Sequence, residues 1–475
     1  MKIRVCSIIL ILFVSINIIF AQNIPDTAKT VMSFNLGSMT AKMNTTPKKI
    51  MKDILREESS SFSVNDYFAF EKIMDSIDFY SYIHIISYNG VFEENYDNNY
   101  FILIPCEDIN SLKSGLYDLM GEYEINTYKS GGIEYINFVE ENVICAYKNG
   151  IFCISVGSDN YRVIDGIEEI FYGDPLMDRV FLELNNKNYD IKLWNDLSSI
   201  NDYAKEVIDY RYIRDSSFSF YLNFTEKDAV CNFSVYLPNI SLSPMKKRLD
   251  DKMIKYIDDS LFFSTLSLDG EGIIDVLNTY FPIIKKVMED ELSNDNIDLF
   301  NVFWGDVVFS LLGDEDYLLA FSLENQNKFI RLLRDSSSSS FYIRQIGNDS
   351  YLIEDYDYKI YIKDSVACLF NSEVDYEHIE NVIYNQNRKI AGNNLKFLMN
   401  NDMTFYINVA NIRNLLIDNE YGLGYDDETR ILIRELKYIS GSANIENNRI
   451  TSNFRIDFRN GTEEFLRSML SLLDF

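Results

Sequence analysis

Apolar positions recur with helical period in some stretches and with strand period in others, and the order of those stretches is spelled twice. In the first half, a strand near Val31 to Leu36 precedes helices over Pro47 to Glu57 and Val64 to Ser76. Two apolar runs follow, Tyr82 to Tyr88 and Tyr100 to Pro105, then a helix over Asp108 to Met120 with Ile109, Leu112, Leu116 and Leu119 on one stripe. A meander of short strands comes next, near 125–128, 133–138, 143–148 and 151–156, and a helix near Tyr161 to Phe171. The second half predicts the same list. It has a strand at Leu261 to Leu266, a helix from Gly272 to Glu291 kinked at Pro282, and apolar runs at Asp306 to Leu312 and Tyr317 to Leu323. A helix over Gln326 to Arg334, a meander over 341–370 and a helix over Tyr376 to Tyr384 complete it.

Residue identities align along with the pattern. Tyr100 onward matches Tyr317 onward, KNGIFCISVGS from Lys148 matches KDSVACLFNSE from Lys363, and the hairpin from Ser219 matches that from Ser440 without a gap. In the latter hairpin Ala229, Cys231, Phe233, Val235 and Leu237 form one face, with Ile450, Ser452, Phe454, Ile456 and Phe458 as counterparts. The opposite face of the second copy, Thr451, Asn453, Arg455 and Asp457, is polar. A period of two with one wet face means antiparallel sheet and puts Cys231 in the core. Helices over Pro244 to Ile257 and Glu463 to Leu473 are expected to close the two copies. The expected fold is therefore α+β, two tandem copies of an antiparallel-sheet module with helices packed on one face. The expected domains are a signal peptide over 1–21, a first repeat over 22–245 and a second over 246–475.

The amino terminus reads as an export signal: Lys2 and Arg4, an apolar run from Val5 to Phe20, and a cleavage point at Ala21 and Gln22. The run is short for a span of roughly 20 residues, Asn17 interrupts it, and no other stretch approaches that length. An exported, periplasmic or extracellular protein, soluble after cleavage, is expected. The formal charge of −29 opposes nucleic-acid and anionic membrane surfaces, which demand clustered positive charge. Cys106, Cys145, Cys153, Cys231 and Cys368 survive cleavage. A turn at Asn149-Gly150 would pair Cys145 with Ile154 and Cys153 with Ala146, placing the two thiols on opposite faces with no bond between them.

A resemblance rests on Ile77-Asp78-Phe79, on Trp304-Gly305-Asp306-Val307-Val308-Phe309, and on Tyr361 with Lys363-Asp364-Ser365-Val366-Ala367 and Ser372-Glu373. With the element order, these make the chain similar to a family of uncharacterised exported bacterial proteins, domains of unknown function. The resemblance implies fold and compartment and no established activity. Many members look like lipoproteins, whereas this chain lacks a lipobox cysteine.

Candidate chemistry is thin. His84 and His378 fall at non-equivalent places, which disfavours a histidine triad or a multi-histidine metal site. Ser243-Pro244-Met245-Lys246 satisfies S-x-x-K without companion motifs, and Gly422-Leu423-Gly424 lacks the third glycine of a dinucleotide fingerprint. The clusters Asn294-Asp295-Asn296-Ile297-Asp298, Asp314-Glu315-Asp316, Asp418-Asn419-Glu420 and Asp426-Asp427-Glu428 do not follow a calcium loop and read as solvated turns. Ser336 to Ser340 reads as a polar loop. The 33 tyrosines suit strands as well as sugar stacking. No catalytic residue, metal ligand or cofactor is assigned. The expectation is a non-catalytic binding or structural module of the cell envelope, its partner another envelope protein or a glycan. The alternative is a carboxylate-dependent hydrolase of cell-wall or glycan material, and the two differ in whether the molecule offers an apolar concavity or an acidic cleft.

Overall fold

The computed structural model describes residues 24–472 except 58–62, 89–99, 121–124, 140–142, 157–159, 200–208, 258–260, 283–285, 287–302, 312–316, 337–341, 355–357, 372–375, 385–396, 399 and 419–432. The export segment and the Gly422 cluster lie outside the described residues. It is an α+β chain, and the strand pairings given below are antiparallel.

Two compact units are present: Met1–Asp202 with Asp215–Phe233 and Asn460–Phe475, and Tyr203–Arg214 with Ser234–Arg459. The first holds β1 (Thr30–Phe34), β2 (Ile83–Ser87), β3 (Tyr100–Pro105), β4 (Ile125–Ser130), β5 (Ile133–Phe138), β6 (Val143–Lys148), β7 (Ile151–Val156), β8 (Ile191–Asp196) and β9 (Ser217–Phe224), with β10 (Asp228–Tyr236) starting in it. Its strand order is β10-β9-β8-β1-β2-β3-β7-β6-β5-β4. The second holds β11 (Phe262–Ser267), β12 (Phe303–Leu311), β13 (Tyr317–Leu323), β14 (Tyr342–Gly347), β15 (Ser350–Glu354), β16 (Tyr358–Lys363), β17 (Val366–Asn371), β18 (Met403–Ile407), β19 (Leu436–Ile445) and β20 (Arg449–Phe458). Its order is β20-β19-β18-β11-β12-β13-β17-β16-β15-β14.

Both orders are the same, and so is the register. One rung of the first sheet reads Tyr221, Lys192, Ser33, His84, Leu103, Cys153, Ala146. The corresponding rung of the second reads Ser442, Thr404, Thr265, Val308, Ala320, Cys368, Tyr361. Along these rungs, which cross six ladders, Leu103/Ala320, Cys153/Cys368, Ala146/Tyr361 and Tyr221/Ser442 follow the sequence alignments from Tyr100/Tyr317, Lys148/Lys363 and Ser219/Ser440.

Local chemistry sets the elements that surround the sheets. Helix α1 (Leu36–Lys42) is capped by Asn35, whose side chain accepts from Ser38 N. After it come α2 (Pro47–Glu57) and α3 (Val64–Ser76), which starts on a capping box between Ser63 and Asp66. The Asp108 carboxylate accepts from Asn110 N and Ser111 N to open α4 (Ile109–Leu119). Asn149 and Gly150 turn at φ 51° and 80°, the primed geometry a two-residue hairpin needs, and Asp364 and Ser365 repeat it at 51° and 57°. Apolar stripes of α3 and α4, among them Phe70, Ile73, Met74, Leu112 and Leu116, close over Ile102, Ile104, Phe152 and Ile154.

Several expectations change. The segment after β10 forms two 3-10 turns, Ser243–Met245 and Asp251–Tyr256, instead of one helix. Helix α5 (Gly270–Tyr280) is interrupted at Phe281, since the residue preceding proline avoids the helical region; Pro282 and Lys286 are helical again, and the rest of the expected helix to Glu291 lies outside the described residues. Cys231 is half-buried, and Phe233 is exposed beside the rings of Phe218 and Phe220, while Ser234 is buried; the simple alternation of that hairpin does not hold. Cys145 does face Ile154 and Cys153 faces Ala146, and both thiols are buried and free.

The units also depart from a boundary at 245/246. Tyr212 packs with Ile240, Leu242 and Val276 of the second unit. The last helix, α6 (Thr462–Leu472), belongs to the first unit, where Thr462 N donates to Glu226 O and the Glu463 carboxylate accepts from Asn44 Nδ2, and Leu466 and Met469 line one cavity with Leu36, Met39, Met43 and Met51.

Candidate functional site

The first unit presents two assemblies, one polar and buried, one apolar and open. In the polar one, the rung through β8, β1 and β2 brings Lys192, Ser33 and His84 side by side. Ser33 Oγ and His84 Nδ1 share a hydrogen bond of 2.8 Å. Tyr82 stacks on His84 at 6.1 Å between centroids, and Lys192 Nζ sits 3.9 Å over the Tyr82 ring while donating to Asn185 O at 3.1 Å. Burial pushes His84 down to about 3, aided by the Lys192 charge, and burial brings Lys192 down to about 8.

A serine beside a histidine is the geometry of an activated nucleophile. The electrostatics oppose that use. A base with a pKa near 3 has little proton affinity at neutral pH, and Ser33 and His84 are both buried. The second unit has Thr265 and Thr404 at the Ser33 and Lys192 positions, sharing a hydrogen bond of 2.6 Å, and Val308 in place of His84.

Burial of a neutral histidine has a measurable consequence. Between pH 6.5 and about 3 the unfolded chain binds a proton that folded His84 refuses, so stability falls as pH falls through that window, by about 1.4 kcal/mol per unit at most. His84→Gln is expected to flatten this dependence. Urea midpoints at pH 7 and pH 4.5 for both proteins would check it, and equal slopes would refute it.

Beside this rung, Asp190 is fully buried. Its carboxylate accepts from Lys42 Nζ at 2.9 and 2.6 Å and from Phe224 N at 2.6 Å. Asp402 occupies the equivalent place in the second unit and accepts from Ile445 N at 2.7 Å. The Asp402 carbonyl accepts from Ser267 N, as the Asp190 carbonyl accepts from Asn35 N. Sequence reasoning missed this pair. The available signal is an aspartate directly ahead of a short run, Ile191–Asp196 in one half and Met403–Ile407 in the other. Another buried carboxylate, Asp306, pairs with Lys247 at 2.6 Å.

The apolar assembly is a cavity of about 100 Å³ walled by α1, α2 and α6. Leu36, Met39, Thr40, Met43, Pro47, Ile50, Met51, Leu466 and Met469 line it. Thr40, the polar member, turns its hydroxyl to Gly37 O at 3.3 Å. Four methionines supply a flexible, polarisable lining that adapts to irregular apolar shapes.

The residues singled out in the sequence are scattered. Ser243 Oγ lies 2.9 Å from Ser241 Oγ and donates to Asn447 Oδ1 at 3.1 Å, contacts that do not involve Lys246. His378 lies on the helix Tyr376–Tyr384 and Asp418 ends the helix Val409–Asp418, while the other acidic clusters fall outside the described residues. Ser336 ends the helix Gln326–Ser336, and the rest of that serine run is outside as well. Among the described residues, no three His, Cys, Asp or Glu side chains are grouped to hold a metal ion. Nor, among them, is any helix long and apolar enough to cross a membrane.

No protein-family profile matches the chain, and no curated protein does. Solved structures of TP0453 align over part of it. Crystal form III gives a TM-score of 0.27 at 10% identity over 48% of this chain and 98% of that one. Crystal form I gives 0.27 at 12% identity over 47% and 80%. Similarity of that size carries no conclusion about fold or role.

Proposed function

We propose that this chain is an exported, non-catalytic binding module built from two copies of one α+β unit, and that the first unit takes up the end of an aliphatic chain. The apolar cavity between α1, α2 and α6 carries the reading. Its lining offers no unsatisfied donor or acceptor, so a sugar or peptide backbone placed there would lose hydrogen bonds to water without replacement. An alkyl end gains about 0.8 kcal/mol for each methylene buried. The matching strand order and register support the duplication, and the charged, apolar and small-residue sequence of the first 22 residues supports export. A glycan hydrolase would need carboxylates facing a cleft. Instead Asp190 and Asp306 are tied to lysines, and Asp402 to a backbone amide.

Decanoate is the probe. Isothermal titration of the chain is expected to show saturable binding at one site with a negative heat-capacity change, the mark of buried apolar surface. Met39→Asp places a carboxylate in the cavity wall at a half-buried position and is expected to weaken binding at least about tenfold, the equivalent of two methylenes. Absence of binding, or equal binding by the variant, would remove the proposal.

A further inference from the structure

We infer that the cavity walled by α1, α2 and α6 is also a site for a soft monovalent cation of the Cu(I) class, bound through the thioether sulfurs of Met39, Met43, Met51 and Met469. The site shares its space with the alkyl reading and does not depend on it. Four of the chain's fourteen methionines border this one cavity. Met39 and Met43 stand four residues apart, on one face of α1 and at its closing residue, while Met51 comes from α2 and Met469 from α6. These elements are tied where they meet. Met43 N and Thr45 N donate to Thr40 O, Lys49 N donates to Thr46 O, and Thr462 N donates to Glu226 O. The Glu463 carboxylate also accepts from Asn44 Nδ2 at 2.6 Å. The sulfurs therefore reach the cavity from three elements with anchored backbone.

Packing alone does not account for these residues. Methionine, unbranched and with three rotatable bonds, is the side chain best suited to fill an irregular gap, yet these four leave about 100 Å³ open. In the second unit, α5 follows the strand equivalent to β1 and closes with Ile273 and Val276 against Ile240, Leu242, Leu268 and Ile445. Met245 and Met403 are among the partly buried neighbours of that cluster. Branched aliphatic side chains thus fill the corresponding place at its centre.

The donor set selects the ion. Thioether sulfur is neutral, soft and polarisable, and it suits Cu(I), whereas magnesium and calcium call for carboxylate or carbonyl oxygen. The polar side chain of the lining, Thr40, spends its hydroxyl on Gly37 O, and Leu36, Pro47, Ile50 and Leu466 make up the rest. Sulfur lone pairs are therefore the side-chain ligands that the cavity presents. A closed d-shell imposes no geometry of its own, so the ion takes the directions the sulfurs offer. The net charge of −29 draws cations rather than anions toward the chain.

Cu(I), kept reduced by ascorbate without oxygen and titrated against the chelator bicinchoninate, is the probe. In the full chain grown with selenomethionine, X-ray absorption at the copper edge is expected to show selenium around the bound ion, a neighbour the cysteines cannot supply. Met39→Leu/Met43→Leu nearly conserves volume and is expected to stay folded, which thermal unfolding checks. Losing even an outer partner of a metal ligand costs about 10–100-fold in affinity, so losing two donors is expected to weaken Cu(I) binding at least about tenfold. The selenium signal is read on the unsubstituted chain and stands whether or not the variant folds. No copper uptake, copper surrounded by sulfur without selenium, or equal affinity of the variant would overturn the site. Copper held by selenium in a chain that refuses decanoate would uphold the site and remove the alkyl reading; decanoate binding without copper uptake would do the reverse.

Discussion

Asp190→Ala is expected to lower the stability of the first unit by about 3 kcal/mol, the lower end of the cost of breaking a buried ion pair, because Lys42 is only half-buried. The carboxylate has no exposure, and it accepts from two donors far apart in the chain, Lys42 Nζ and the Phe224 amide, while Lys42 Nζ also donates to Asn223 Oδ1. Alanine would leave Lys42 with Asn223 alone and the Phe224 amide facing a void. The equivalent Asp402→Ala removes one amide's partner and should cost less, about 1–3 kcal/mol. Urea unfolding followed by Trp194 fluorescence, in a Trp304→Phe background, isolates the first unit, since Trp194 is buried in β8. A loss below about 1 kcal/mol at Asp190 would mean that the site relaxes or takes in water, and that the Asp190–Lys42 pair does not hold the strand ends together.

Gly305→Ala should be more damaging still, with an expected loss above about 4 kcal/mol or no recoverable folded protein. Gly305 holds φ at +89°, and an added Cβ would stand 1.6 Å from Leu268 O, a backbone atom that cannot rotate away. The two residues are also joined by Leu268 N donating to Gly305 O at 3.1 Å. Any shift that relieves the clash drags Asp306 with it, and Asp306 is fully buried against Lys247. Strain and a broken buried ion pair therefore add. Thermal unfolding of the purified variant checks this, and a transition within a few degrees of the parent would show that the backbone can reroute between Phe303 and Val307, where the β12 register already shifts.

These two positions show what could be seen in advance. Gly305 was visible as part of a resemblance, but its positive φ follows from Leu268 crossing it, a contact made across 37 residues of chain. Asp190 was not noticed, since an aspartate before a strand looks like ordinary turn chemistry. Its burial depends on Lys42, 148 residues away. The place of His84 in the sequence disfavours a triad, but the pattern could not say that Ser33, Tyr82 and Lys192 would surround it. The apolar cavity had no sequence signal beyond methionines on amphipathic stretches, which also describe a filled core.

Strand and helix placement, the hairpin turn that separates Cys145 from Cys153, and the repeated element order were determined by the sequence itself. Each rests on periodicity or turn chemistry within a few residues, and local forces act there without help from the rest of the chain. Only the tertiary structure decided that the final helix belongs to the first unit, that the segment after β10 breaks into short turns, and that half-buried lysines answer buried aspartates. Those outcomes depend on which surfaces meet across hundreds of residues, where burial and charge pairing outweigh local preference.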